Sequence, residues 1–268
     1  MQVKKVLFVS WIQVYADVPK RLAEGLSDSL EAIGCLAVTL GVAADNPIFE
    51  PPLGTTPIWP DTRVMGLFGA ERDTDKLLAL LKARWPQLDE YPVKIEVLED
   101  KDWVREWMDQ FVPIQFGERL WVVPTWLEPL HPDAVNLMLD PGLAFGTGGH
   151  ATTALCLTWL SQSDLSEKTV IDFGCGSGIL ACAAAKLGAG RVIGTDIDPQ
   201  ALRASQQNAE VNQVSLELYL PEQMPALQAD ILVANILFNP LKSLAPHFLA
   251  LLKPSGTLVM SGILTSQA

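Results

Sequence analysis

No pair of cysteines in the 268-residue sequence is spaced C-x-x-C; the four present, Cys35, Cys156, Cys175 and Cys182, stand apart, two of them in segments that read as core helices. That spacing excludes a zinc ribbon, argues against a disulfide framework and fits reduced thiols in a cytoplasm. No uninterrupted apolar run is long enough to span a bilayer, although 49% of the residues are apolar and 19% charged. Basic residues are the scarcer charge, 19 against 31 acidic ones, for a formal net charge of −12. An acidic chain disfavours broad binding to phosphate backbones and favours a basic partner, without excluding a small local nucleic-acid site. No glycine loop is followed by GK[ST], which disfavours a nucleoside triphosphate. Neither a Ser-His-Asp set nor a metal-ligand set is visible.

The length suffices for two domains and a substantial core. Residues 1–16, MQVKKVLFVSWIQVYA, read either as a short signal peptide or as a first strand with a basic start. Intracellular cysteine usage favours the strand. Residues 11–98 then read as two βαβ halves: a strand Trp11–Ala16, a helix capped by Asp17 and running to about Ile33 with Gly34 behind it, and a strand Cys35–Val42. After the Pro-rich loop Asn46–Asp61 come a strand Arg63–Gly69, a helix Thr74–Trp85 stopped at Pro86, and a strand Val93–Leu98. The order β-α-β-β-α-β is the ferredoxin-like split unit. It contains no catalytic constellation, which points to recognition or docking. Glu99–Gln110 reads as a short helix whose Trp103 and Trp107, with Phe111, share one stripe, in keeping with an interdomain helix or a direct partner contact. Paired strands are expected at Glu118–Pro124 and Val135–Asp140.

Val170–Leu180, VIDFGCGSGIL, organises the remainder. Val170–Phe173 suits a buried parallel strand, Gly174, Gly176 and Gly178 alternate with Cys175 and Ser177, and Ile179–Leu187 resumes as a helix before Gly188. Strand, glycine turn and helix present backbone N–H groups to a ligand. A dinucleotide fingerprint wants Gly or Ala where Ile179 stands, and Asp172 just before the turn is a second departure from it. The following strand ends at Asp196, twenty-two residues beyond Gly174, where a carboxylate can hold two ribose hydroxyls. Asp198-Pro199 reads as a helix N-cap and first turn. This spacing favours S-adenosylmethionine. Ahead of it, the glycine-rich run Asp140–Thr153 enters a helix Thr152–Leu160 and suits a loop folding over a cofactor; His150 reads as a helix-start residue satisfied by backbone. Downstream come a helix Pro199–Asn212, strands Leu216–Tyr219 and Ala229–Ala234, a helix Phe238–Leu252 and a last strand Thr257–Ile263. Asn235, ending its strand beside the glycine turn, is either a ligand-side residue or the closure of a strand–loop turn.

A methyl group on a sulfonium is already activated, so attack by an amine needs positioning more than a nucleophilic side chain. The proton is the obstacle. A lysine of pKa about 10.4 is neutral at pH 7 only about once in 2,500 molecules, a cost of roughly 4.6 kcal/mol. Desolvation and a neighbouring positive sulfur lower that pKa, and an acceptor such as Asn235 can orient the lone pair.

The segments EDKDWVREWMDQF, FGERLWV, LDPGLAFGTGGHATT, VIDFGCGSGILA, GTDIDPQA, VANIL and SGIL together closely resemble the PrmA family of bacterial ribosomal-protein methyltransferases, which modify ribosomal protein L11. The resemblance runs from Trp11 to the end. It implies an α/β chain: a class I (Rossmann-like) methyltransferase sheet at residues 131–268, a linker helix and hairpin at 99–130, and an N-terminal ferredoxin-like α+β substrate-recognition domain at 1–98. It implies S-adenosylmethionine contacts at Thr153, Gly174, Asp196 and Asn235; Gly176 of the same turn is a further expected cofactor-binding residue, and no metal is expected. It further implies methylation of lysine side chains and of the N-terminal amine of a basic large-subunit ribosomal protein, and a monomer; the cysteine usage, apolar runs and charge above add the expectation of a cytoplasmic location with no membrane and no direct nucleic-acid binding. Two departures follow: residues 1–10 look like an extension, and the family continues past SGILTSQA through further strands, so the sheet is expected to be C-terminally incomplete with Thr257–Ile263 as an edge. Methylation of another protein or a small molecule, or a truncated form that binds cofactor without transfer, are the alternatives.

Overall fold

The computed structural model describes residues 11–43, 57–98, 111–139 and 149–267. It divides into two compact units, residues 1–109 and 110–268.

In the first unit β1 (Trp11–Pro19), α1 (Lys20–Ala32), β2 (Ala37–Val42), β3 (Asp61–Gly69), α2 (Thr74–Arg84) and β4 (Lys94–Leu98) follow one another. The sheet order is β2-β3-β1-β4, each neighbouring pair antiparallel. β1 and β2 therefore run the same way with β3 between them, the split arrangement expected of this element order. Strict alternation sends Ile12, Val14, Ala16 and Val18 to one face, where they meet Leu26 and Leu30 of α1, Phe68 of β3 and Leu77 and Leu81 of α2. Asp73 caps α2 by accepting the N–H groups of Asp75 and Lys76.

Asp17 does not cap a helix. Buried Val18 continues the alternation, so pairing carries β1 on to Pro19 and α1 starts at Lys20. Opposite Asp17 in the register, Arg63 donates to both of its carboxylate oxygens at 2.6 and 2.7 Å. Residues 11–16 lie in this central strand, whereas residues 1–10, residues 46–56 of the loop expected at Asn46–Asp61, and the helix expected at Glu99–Gln110 with Trp103 and Trp107 lie outside the described residues. Phe111 is described and meets the Trp126 ring edge-on, centroids 6.3 Å apart.

The second unit opens with a hairpin, β5 (Ile114–Phe116) and β6 (Leu120–Pro124), turned at Gly117 (φ +63°), and β7 (Val135–Leu139) pairs parallel to β6. The strand expected to start at Glu118 starts at Leu120 because Glu118 and Arg119 belong to the turn.

The main sheet is wholly parallel, in the order β10-β9-β8-β11-β12. Its strands are β8 (Thr169–Phe173), β9 (Arg191–Thr195), β10 (Glu217–Tyr219), β11 (Ala229–Asn235) and β12 (Leu252–Ser261). The helices are α3 (Ala151–Gln162), α4 (Ile179–Lys186), α5 (Pro199–Val211) and α6 (Phe238–Leu251). Both faces are covered, as a parallel sheet requires. Val170, Val192, Ile231 and Val233 pack with α3 and α4, while Ile171, Phe173, Ile193, Leu232 and Ala234 pack with α6. The expected turn Pro254-Ser255-Gly256 sits inside β12 as an irregularity: Ala229 pairs with Leu252, and Ile231 already with Thr257.

Candidate functional site

β8 is the strand at which the order reverses, with β9 on one side and β11 on the other. Ligands of open α/β sheets gather outside the carboxyl ends of strands at such a switch point. The turn after β8 is built for close approach. Gly174, Gly176 and Gly178 have φ of +77°, +55° and +74°, in the left-handed region that a side chain resists. A Cβ on Gly174 would collide with the Ile236 side chain, and one on Gly178 would lie 2.9 Å from the Cα of Ser205.

Backbone and side-chain bonds hold this turn on every side. The Thr195 carbonyl accepts from Gly174 N–H at 2.7 Å and Cys175 N–H at 3.0 Å, and the Cys175 carbonyl accepts from Gly178 N–H at 2.8 Å. Asp196 accepts from Gly176 N–H at 2.9 Å on one oxygen and from Asp198 N–H at 3.0 Å on the other. Each carboxylate oxygen has two lone pairs, so each retains capacity for a ligand hydroxyl. Asp198 accepts from Gln200 N–H at 2.8 Å and caps α5 ahead of Pro199, as its sequence position implies.

Asp172 is buried behind the turn. One oxygen accepts from Ala181 N–H at 3.0 Å in the first turn of α4, and the other has no hydrogen-bond partner. Burial, opposed by that N–H and reinforced by the Asp196 charge, raises its pKa from 3.8 to about 7. Burial likewise raises the thiols of Cys156 and Cys182, to about 11 and about 12, and that of Cys175 further still, with Asp172 adding to each. These thiols stay protonated at neutral pH and are unsuited to act as nucleophiles.

On the other side of the switch point, the Asn235 side-chain amide donates to the Thr153 hydroxyl at 3.1 Å. Thr153 is itself buried in the first turn of α3, and Ser261 at the end of β12 donates to the Thr152 carbonyl at 3.3 Å. His150 precedes α3 and its Nδ1 accepts from Thr152 N–H at 3.4 Å, the backbone-satisfied role expected of it. Residues 140–148 of the glycine-rich run lie outside the described residues.

Of the five sequence-predicted site residues, four form two bonded pairs, Gly176 with Asp196 and Thr153 with Asn235, while Gly174 donates to the carbonyl of Thr195, the residue before Asp196. They adjoin through Gly174, against whose Cα the side chain of Ile236, the residue after Asn235, is packed too closely for a Cβ. Sequence reasoning missed three members of this neighbourhood. Ile197, next to Asp196, is 84% exposed, although a large apolar residue inside the polar run TDIDP was a visible signal. Ser205 and Asn208 reach the turn from α5, and their spacing of three on a helix marks them as one face. A separate cavity of about 490 Å³, lined by Glu118, Arg119 and Ser161–Asp164, lies at the far end of α3 from Thr153. There Arg119 donates to the Ser161 and Ser163 carbonyls at 2.7 and 2.8 Å and closes off the helix C-terminus.

The model of one family, described as ribosomal protein L11 methyltransferase (PrmA), matches residues 10–268. The chain belongs to the PrmA family. Its relatives include a ribosomal protein L11 methyltransferase of Hydrogenovibrio crunogenus, 55% identical over 260 residues that cover 97% of this chain and 88% of that protein. Another, of Vibrio campbellii, is 56% identical over 262 residues, covering 96% and 89%. Among solved structures, a ribosomal protein L11 methylase of Lactobacillus delbrueckii subsp. bulgaricus superposes with a TM-score of 0.52 at 36% identity, covering 57% of this chain and 81% of that one. PrmA family membership agrees with the wholly parallel sheet and with the glycine turn at its switch point. Among the described residues no helix is long and apolar enough to cross a membrane.

Proposed function

We propose that the protein transfers methyl groups from S-adenosylmethionine to amines of ribosomal protein L11, namely lysine side chains and the N-terminal amine. The observation that carries this reading is the tie between the glycine turn and Asp196 at the switch point, with Asn235 on the adjacent strand. The residues present fit the cofactor. The glycines of the turn leave its backbone uncovered by side chains of their own, Asp196 keeps a lone pair on each oxygen for ribose hydroxyls, and exposed Ile197 offers an apolar surface beside them.

When bound, the cofactor supplies an activated methyl on a positively charged sulfur. The chain's own work is placement. Gly174 and Gly176 admit the ligand close to the backbone, Asp196 holds the ribose, and Thr153 fixes the Asn235 amide through its NH₂ group. The Asn235 carbonyl oxygen is thereby the end available to accept a hydrogen bond from a neutral amine and aim its lone pair. No charged base is required at this position; the amine has to arrive deprotonated, which desolvation favours. The net charge of −12 supports a basic protein as acceptor and speaks against a nucleic acid.

Incubation with methyl-labelled S-adenosylmethionine and purified large-subunit ribosomal proteins tests the proposal. Label on the L11 protein alone supports it. Label only on other proteins or on small molecules refutes the acceptor, and binding of cofactor with no transfer refutes the catalytic reading.

A further inference from the structure

We infer that Ser205 and Asn208 of α5 are positioning residues for cofactor binding, acting through the carbonyls of the glycine turn. This rests on the cofactor reading above and extends it to residues that would not touch the ligand. Ser205 donates to the Gly176 carbonyl at 3.0 Å and Asn208 to the Ser177 carbonyl at 2.8 Å, so two consecutive peptide groups are pinned to the helix. A trans peptide directs its N–H opposite to its C=O. Pinning these carbonyls toward α5 therefore turns the following N–H groups away from it, and it sets the backbone that carries Gly176 to Asp196.

The composition of the helix face supports the same assignment. Ser205 is fully buried and Asn208 is 8% exposed, where apolar residues would pack at no desolvation cost. Asparagine is also a weak helix former. The polar groups there are matched to turn carbonyls, and the close approach they require is what leaves Gly178 no room for a side chain against Ser205. The helix is fixed at both ends. At its start Asp198 caps it and donates to Asp196; at its end Asn212 pairs with Met138 of β7 through both amide atoms, each bond 2.7 Å. α5 is thus a rail of set position against which the turn is held.

Calorimetric titration of S-adenosylmethionine and S-adenosylhomocysteine into the full chain tests this, each variant being measured well below its own melting temperature. Asn208→Ala is expected to weaken both ligands about tenfold and by the same factor, since the lost bond sets the turn rather than distinguishing methylated from demethylated sulfur, while kcat at saturating cofactor changes less than about threefold. Asn208→Asp is expected to be weaker still, because an ionised carboxylate can only accept and would face the Ser177 carbonyl. A folded Asn208→Ala variant with wild-type affinity for both ligands overturns the inference. Should the Asn208 variants not fold, Ser205→Ala carries the test: a rise of about threefold in both dissociation constants is expected, and no rise overturns it. Failure of the wild-type chain to bind either ligand would instead refute the cofactor reading.

Discussion

Asn235 and Thr153, 82 positions apart, are joined by a single side-chain bond of 3.1 Å that links the carboxyl end of β11 to the first turn of α3. A side-chain amide has a donor end and an acceptor end, and the Thr153 hydroxyl occupies the donor end. Asn235→Ala is expected to lower kcat by about 100-fold, the scale expected when a group that aligns the attacking atom is lost. Thr153→Val, which keeps the shape but offers no acceptor, is expected to lower kcat by about tenfold, with Thr153→Ser restoring most of it. Steady-state kinetics at saturating S-adenosylmethionine reads this out; wild-type turnover in Asn235→Ala would remove the assigned role.

The proposed ribose ligand Asp196 is also engaged structurally, its oxygens receiving the Gly176 and Asp198 N–H groups. Asp196→Ala is expected to weaken cofactor binding roughly 100-fold, the loss of charge-assisted bonds, and also to lower Tm. Asp196→Asn keeps the size but points an NH₂ at one of those two N–H groups, so it too loses stability. Thermal melts without ligand separate the structural part from the binding part. An unchanged Tm in both variants would contradict the bridging role.

Gly174 and Gly188 provide a matched pair. Both have left-handed φ, +77° and +102°, but a Cβ at Gly188 meets nothing within 4 Å whereas one at Gly174 strikes Ile236. Gly174→Ala is expected to cost strain of about 1–2 kcal/mol plus the displacement of Ile236, and to weaken cofactor binding more than tenfold. Gly188→Ala is expected to cost the strain alone. Equal cofactor affinities in the two variants would show that the close packing of Gly174 against Ile236 does not matter to the cofactor.

Asp172 makes stability depend on pH. Its carboxyl titrates near 7 when folded, mainly through burial, against 3.8 ordinarily. The native state then holds a proton that the unfolded chain has released between these values, so this contribution is fully present below about pH 4 and is lost as pH rises through about 7. Asp172→Asn removes the buried charge and is expected to stabilise the protein at pH 8 by up to roughly 4 kcal/mol, with little gain at pH 4. Denaturant melts across that range check it; a variant that lowers stability equally at both pH values contradicts the assignment.

The parts of the fold legible in advance were those where one local signal acts without competition. Asp198-Pro199 caps α5 because nothing else claims those residues, while Asp17, equally suited by type, was taken by strand pairing with Arg63. β5 escaped notice because its three residues, Ile114–Phe116, are too few to display alternation. The glycine turn and Asp196 could be placed from spacing alone, since strand ends in a parallel sheet bring such residues together. The bonds from Ser205 and Asn208 could not, because they depend on how closely α5 approaches the turn, which only packing determines.

Titration of S-adenosylmethionine into the wild-type chain and into Asp196→Ala, by calorimetry on protein shown to be folded, bears most directly on the claim that the turn after β8 and Asp196 together receive the cofactor. Saturable one-to-one binding by the wild type, weakened roughly 100-fold in the variant, is the expected result. No heat of binding with a folded wild-type chain, or equal affinity in the two proteins, would contradict it.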